Sequence, residues 1–259
     1  MTRVNVVTGG ASGIGKATAE MLRERGETVY TADIHNADIV ADLTTTEGRE
    51  FYAAEVARLT GGKLDAVYAI AGLATPVPAT VGVNYFGMIA SVESVRELLL
   101  QSDSPRVVIT SSVASYMGHD DALLDAILSG DEDKALAMAA ELAADPARAN
   151  AIYGTSKHAV TRWIRANAVK PEWAGAGIAI NGVGPGVIRT PMTEDMLADP
   201  DMLKYLESTI PSPFNGPAAE PEWIASALVF LGSPENMFIT GQVLFADGGA
   251  EAGIRPELV

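Results

Sequence analysis

Short apolar runs alternate along the chain with stretches whose apolar residues recur at helical spacing. Val4–Thr8 is a β-rich run. Ile14–Arg25 places Ile14, Ala17, Met21 and Leu22 on one helical face and stops at Gly26. Thr28–Asp33 is a second strand, and Asp42-Leu43 closes a third. Thr46–Leu59 predicts a helix with Thr46 as its N-cap and Gly61-Gly62 as its stop. Asp65–Ala71 is a strand, Val83–Leu100 one long helix, and Arg106–Ser111 a strand whose continuous Val-Val-Ile suits burial on both faces. Further on the pattern predicts a helix over Ala151–Ala168, a strand over Ile178–Val183, a helix over Pro221–Leu231 and a last strand over Gln242–Ala246. Such alternation means βαβ units: an α/β, single-domain Rossmann fold, with a doubly wound parallel sheet of about seven strands.

Two segments break the rhythm. Gly118–Asn150 is rich in Ala, Leu, Asp and Glu, with helical spacing at Leu123, Leu124, Ile127 and Leu128, and reads as a helical insertion (118–150). Thr190–Gly216 holds four prolines and several large apolar residues, and reads as a substrate lid (190–216). No repeat, low-complexity tract or linker divides residues 1–259.

Composition narrows the chemistry. The chain has no cysteine, so disulfides, thiolate nucleophiles and cysteine metal sites are excluded. Its net charge of −15 argues against nucleic acid and anionic membranes as partners. No stretch approaches the ~20 apolar residues of a membrane span, and the first residues lack a signal-peptide layout, so a cytoplasmic location is expected. His119-Asp120-Asp121 imitates a metal site, but an acidic loop start explains it as well, and no metal is expected.

The glycine-rich turn Thr8-Gly9-Gly10-Ala11-Ser12-Gly13-Ile14-Gly15 lies between the first strand and the first helix. There glycines let the backbone approach a pyrophosphate, and a helix N-terminus faces that anion. Asp33 ends the second strand, where a carboxylate accepts from an adenosine ribose and repels a 2′-phosphate. With Ala11, Ser12, Ile34 and His35 around it and no Arg or Lys adjacent, the expected cofactor is NAD rather than NADP. Gly9, Ser12, Gly13 and Ile14 would line its pyrophosphate, Asp42 and Leu43 its adenine, and Ala71-Gly72 its path over the sheet.

Tyr153 and Lys157 stand four residues apart at the start of a helix, one turn apart on one face. A free phenol, with a pKa of ~10, suits proton transfer near neutrality poorly; a neighbouring ammonium should lower it. Ser112 follows the buried strand at the carboxyl edge of the sheet. As a lone pair, Tyr153 and Lys157 would be an ordinary helix-surface contact. With the glycine turn, Asp33 and Ser112 they define a reaction.

Together these residues resemble the short-chain dehydrogenase/reductase family over essentially the whole chain. T-G-x-x-x-G-I-G is similar to its cofactor loop, and V-N-Y-F-G (Val83–Gly87) to its Asn-bearing helix. The resemblance implies Asn84, Ser112, Tyr153 and Lys157 as catalytic residues, with Asn84 ordering Lys157 through water. It also implies Tyr153, Lys157, the Ile188 backbone and the Thr190 hydroxyl as cofactor contacts. Within the family, A-D-L-T-T-T-E-G-R, S-S-V-A-S and A-D-G-G-A-E-A-G-I-R-P resemble the bacterial hydroxysteroid dehydrogenase/carbonyl reductase branch, as do the forty residues between Ser112 and Tyr153. One departure is Ala69-Ile70-Ala71-Gly72, where the family often has N-N-A-G.

The expected activity is hydride transfer between NAD and a secondary alcohol or ketone. Ser112, Tyr116, Tyr153 and Met192 are the candidate substrate contacts, and the apolar lid suggests a hydroxysteroid-like, terpenoid or aromatic substrate. The same lid residues could instead cover the domain's own core. A catalytically inactive NAD-binding regulator, or an epimerase or dehydratase that retains its NAD, stays open. The insertion would block or replace the helix face that many relatives use to form tetramers, so among homo-oligomers a dimer is favoured.

Overall fold

In the computed structural model, which describes residues 2–257, the chain forms one parallel sheet with helices on both faces. In chain order the elements are β1 (Val4–Thr8), α1 (Gly13–Glu24), β2 (Thr28–Asp33), β3 (Ile39–Val40), α2 (Thr46–Thr60), β4 (Ala66–Ala69) and α3 (Pro78–Val81). A π-helical turn, Gly82–Gly87, leads into α4 (Met88–Glu93) and α5 (Arg96–Leu99), then β5 (Arg106–Thr110) and α6 (Ala114–Met117). The insertion supplies α7 (Asp121–Leu128) and α8 (Glu132–Ala143). There follow α9 (Ala151–Asn167), β6 (Ala179–Pro185), α10 (Glu194–Ala198), α11 (Pro200–Thr209), α12 (Pro221–Gly232), β7 (Val243–Ala246) and α13 (Ala250–Ile254). Among the described residues the strand order is β3-β2-β1-β4-β5-β6-β7, so the winding reverses between β1 and β4. In doubly wound sheets, ligands bind beyond the carboxyl ends of the strands at such a reversal.

Strand alternation builds a core on each face. Val6, Val67 and Val107 share one core with Tyr52 of α2, Val92 of α4 and Ile164 of α9, and Ala139 of α8 extends it. Their neighbours Val7, Tyr68 and Val108 pack under α1 and α12 through Leu22 and Leu228. Burial of every residue in β5 accounts for its unbroken apolar run.

The structure corrects the sequence expectation in three places. The helix expected over Val83–Leu100 is broken: it starts at Pro78, passes through the π turn, and is interrupted between α4 and α5. A Cβ on Gly87 would lie 2.5 Å from the Leu43 carbonyl oxygen, so only glycine lets this segment press on the loop after β3. The third strand ends at Val40, which leaves Asp42 and Leu43 in that loop. The cap of α2 is Thr45, whose hydroxyl accepts from the Gly48 N–H at 3.0 Å, one residue before the expected Thr46. Where the sequence departs from N-N-A-G, the Thr8 hydroxyl accepts from the backbone N–H groups of Ile70 (3.0 Å) and Ala71 (3.2 Å) and ties the sheet centre. No helix among the described residues is long and apolar enough to cross a membrane.

Candidate active site

A cavity of about 460 Å³ opens along the carboxyl ends of the strands. Gly9, Ser12, Gly13, Ile14, Asp33, Asp42, Leu43, Ala71, Gly72, Ser112, Tyr153, Lys157, Ile188, Thr190 and Met192 all line it. The structure thus brings together residues spread over most of the chain. Tyr116 is not among the lining residues: its ring packs edge-on to Phe245 at 5.1 Å, lies under the Arg255 guanidinium at 4.3 Å, and its hydroxyl reaches Asp247 at 3.5 Å. Both Arg255 and Asp247 lie over a hundred residues away in sequence.

At one end the wall is backbone. Gly9 (φ +72°) and Gly13 (φ +50°) take left-handed conformations that glycine favours. A Cβ on Gly15 would lie 2.1 Å from the Gly9 carbonyl oxygen. Ser12 begins α1 without bonding to it through its side chain, so the first-turn N–H groups keep their capacity for an anion. Asp33 accepts from the Ala11 N–H (3.0 Å) and the Ile34 N–H (2.7 Å). Asp42 accepts from the N–H (2.9 Å) and hydroxyl (2.7 Å) of Thr44. These features fit a dinucleotide: glycine where a side chain would fill the cradle, an uncapped helix end for phosphate, and a carboxylate beyond it.

At the other end the wall is side chain. The buried Lys157 ammonium donates to the Thr110 carbonyl at 2.9 Å, and burial pushes its pKa down from 10.5 to about 8. Burial pushes the Tyr153 phenol up, while a hydrogen-bond interaction with the Ser112 side chain works the other way. The spacing predicts a phenol lowered by Lys157; in the structure desolvation raises it, and Ser112 is the group that works against the rise. Ser112 accepts from the Ala114 N–H at 3.2 Å and is almost fully buried.

Asn84 sits on the π turn. Its Oδ1 accepts from the Leu73 N–H (2.8 Å), and its Nδ2 donates to the Leu73 carbonyl (2.9 Å) and the Ser156 hydroxyl (3.0 Å). It makes no direct bond to Lys157. A Cβ on Gly72 would lie 2.8 Å from Asn84 Oδ1 and 3.6 Å from Lys157 Nζ, so Gly72 separates the two.

Thr110, Ser156 and Thr193 were not expected from the sequence. Thr110 holds Lys157 by its carbonyl, and its own Oγ1 is buried without a partner. The Thr193 hydroxyl donates to the Ile188 carbonyl and accepts from the Thr190 N–H (3.1 Å), fixing the loop after β6. Contacts to backbone carbonyls leave no spacing to read. Of the lid residues, Met196, Leu197, Leu206 and Ile210 pack with Val187 and Ala218 in a small core of their own. Met192, by contrast, is 48% exposed and faces the cavity. No group of three or more His, Cys, Asp or Glu side chains that could hold a metal occurs among the described residues; His119 pairs with Asp121 at 3.1 Å and stacks on His158.

A family model described as enoyl-(acyl carrier protein) reductase matches residues 9–251. The chain belongs to the short-chain dehydrogenase/reductase family and is an oxidoreductase that interconverts alcohols and ketones. Among curated relatives it is 34% identical to 3-alpha-hydroxysteroid dehydrogenase/carbonyl reductase of Comamonas testosteroni, over 97% of each chain. It is 29% identical, over 97% of each chain, to a 2,5-dichloro-2,5-cyclohexadiene-1,4-diol dehydrogenase of Sphingobium indicum. Among solved structures, the 3-alpha-hydroxysteroid dehydrogenase of Pseudomonas sp. B-0831 complexed with NADH superposes with a TM-score of 0.88 at 38% identity, covering 99% of this chain and all of that one.

Proposed function

We propose that the protein oxidises and reduces an apolar, ring-containing secondary alcohol and its ketone, with NAD rather than NADP. The carrying observation is one cavity that has Asp33 at one end and Ser112, Tyr153 and Lys157 at the other. Gly9, Ser12, Gly13 and Ile14 would hold the pyrophosphate, Asp33 the adenosine ribose, Asp42 and Leu43 the adenine, and Ala71-Gly72 the path between. Lys157, the Ile188 backbone and Thr190 would hold the nicotinamide half. When bound, the nicotinamide accepts or gives the hydride.

The chain's own residues handle the oxygen and the proton. Ser112 holds the substrate oxygen. Tyr153 stays protonated in the free protein because burial raises its pKa, which readies it as the acid in reduction; in oxidation it takes the proton back. Lys157 holds the Thr110 carbonyl and keeps a titratable amine near the phenol, its pKa of about 8 within reach of working pH. Asn84, with a second lone pair free on Oδ1, is the candidate for passing the proton toward solvent through water.

Asp33 favours NAD because it is a carboxylate at the adenosine end, and among the described residues Lys157, at the opposite end, is the one Lys or Arg lining the cavity. The ring preference rests on Met192 at the cavity mouth and on the ring alcohols and hydroxysteroids named for the relatives. Segment 190–216 acts as the lid, with Met192 as its contact. A screen of steroid, terpenoid and aromatic ketones with NADH and NADPH tests cofactor and substrate together. Turnover faster with NADPH, or confined to small acyclic carbonyls, would overturn this reading.

We also propose a dimer in the cytoplasm. Helices α7 and α8 pack against α9, which supports an assembly other than a tetramer of the usual kind. Trp223, Phe230, Phe238 and Leu244 stay exposed around the β7 edge and offer a second face. Light scattering at the mass of four chains would count against it.

A further inference from the structure

The insertion reaches the cofactor end of the cavity through one ion pair. Arg49, in the first turn of α2, donates from Nε to the Leu43 carbonyl (2.7 Å) and from Nη2 to the Thr44 carbonyl (3.4 Å). Its two terminal nitrogens also bind Glu132, Nη1 to Oε2 at 2.7 Å and Nη2 to Oε1 at 2.6 Å. Glu132 is the first residue of α8, where the helix dipole favours a carboxylate. The pair is well shielded, with side chains 16% and 27% exposed. Leu43 and Thr44, whose carbonyls Arg49 holds, both line the cavity.

The turn they form has little other freedom. Asp42 closes it through Thr44, a Cβ on Gly48 would lie 1.9 Å from the Asp42 carbonyl oxygen, and one on Gly87 would lie 2.5 Å from the Leu43 carbonyl oxygen. Helix α8 touches this wall again at Gly82, where a Cβ would lie 3.7 Å from Thr44 and 3.8 Å from Leu136. The Arg49 guanidinium is therefore shared between a helix of the insertion and the turn. Without Glu132 it would keep its two carbonyls and lose its counter-charge in a half-buried place, where an unpaired cation is disfavoured.

We infer that Glu132 is a positioning residue. Through Arg49 the insertion holds the Asp42–Thr44 turn and thereby sets affinity for the adenosine half of the dinucleotide. This rests on the reading that the turn faces adenosine. A preorganised turn lowers the ordering cost of binding, so loosening it weakens the half-ligand that touches it and spares the other half.

The test is equilibrium titration of the full chain with NADH, ADP-ribose and nicotinamide mononucleotide. For Glu132→Gln, Kd for NADH and ADP-ribose should rise roughly three- to tenfold, with nicotinamide mononucleotide unchanged. Arg49→Lys, which cannot grip carboxylate and carbonyls together, should do the same, and the double variant should be no weaker than the worse single one. If Glu132→Gln folds poorly, Glu132→Asp keeps the charge at the helix start, shortens the reach, and should raise the same two constants. Unchanged ADP-ribose affinity with a lowered Tm would make the pair merely structural and overturn the inference. Equal weakening of both half-ligands would overturn it too. If the unmodified protein binds NADH but not ADP-ribose, the adenosine assignment itself fails, which is a separate outcome.

Discussion

At the Asp33 end of the cavity the fold already engages both carboxylates and leaves the first-turn N–H groups of α1 open, whereas at the Tyr153 end the polar side chains are held with capacity to spare. Asp33 accepts from the glycine turn and from its own loop, Asp42 accepts twice from its own loop, and the glycine turn has no room for side chains. Across the cavity, Lys157 makes one bond, Thr110 Oγ1 makes none, and burial has pushed the phenol and the amine toward neutral forms. A binding end gains from rigidity, because order fixed in advance costs nothing on association. A reacting end needs groups near a protonation change, and desolvation supplies that at some expense in stability.

The strongest way to break this contrast is Tyr153→Phe. Removing the phenol oxygen should lower kcat by roughly 10²- to 10⁴-fold, the range for general acid–base catalysis. Kd for NADH should stay within about twofold, because no wall of the binding end changes. Steady-state kinetics with a fluorescence titration check both. Near-normal turnover would remove Tyr153 from the chemistry.

Gly15→Ala probes the opposite end. Its Cβ would fall 2.1 Å from the Gly9 carbonyl oxygen, so the turn must shift. Overpacking of this kind costs about 1–3 kcal/mol or more. We expect Tm to fall and NADH affinity to drop by at least about tenfold, read by calorimetry and titration. A variant with unchanged affinity would show that the turn is not the cradle.

Lys157 gives the contrast a pH signature. Its folded pKa, about 8, lies below its ordinary 10.5. Between those values the unfolded chain keeps the proton and the folded one has lost it. Stability contributed by this site therefore rises with pH from about 8 to 10.5, and the cost of burying the charge is fully felt below 8. Relative to Lys157→Met, the native protein should gain up to roughly 3 kcal/mol across that window. Urea unfolding of both proteins at several pH values measures it; parallel curves would mean the amine is solvated.

How far the sequence went follows the same division. The strands were legible because buried parallel strands are continuous apolar runs, as in Val107–Ile109. Tyr153 and Lys157 were legible because four residues make one helical turn. The fracture of Val83–Leu100 was not, and neither was the close approach of Gly87 to Leu43, which joins distant parts of the chain. Neither was the direction of the Tyr153 shift, which depends on burial that spacing does not encode. The Arg49–Glu132 pair, 83 residues apart, leaves no local pattern either. The partners of the Tyr116 ring, Arg255 and Phe245, lie over a hundred residues away and were likewise not legible.

The smallest effect belongs to Asp33, and it separates charge from scaffolding within one residue. Its two oxygens hold the Ala11 and Ile34 N–H groups, so the carboxylate shapes the glycine loop as well as setting the local charge. Asp33→Asn removes the charge and keeps one accepting oxygen, so one of the two loop bonds must fail. If charge decides the cofactor, the ratio of kcat/KM for NADPH over NADH should rise by about tenfold, because the like-charge penalty against a 2′-phosphate is gone. If loop support decides it, both cofactors should weaken together and the ratio should stay fixed. Measured side by side, the two ratios state how much of this end's rigidity serves selection and how much serves only shape.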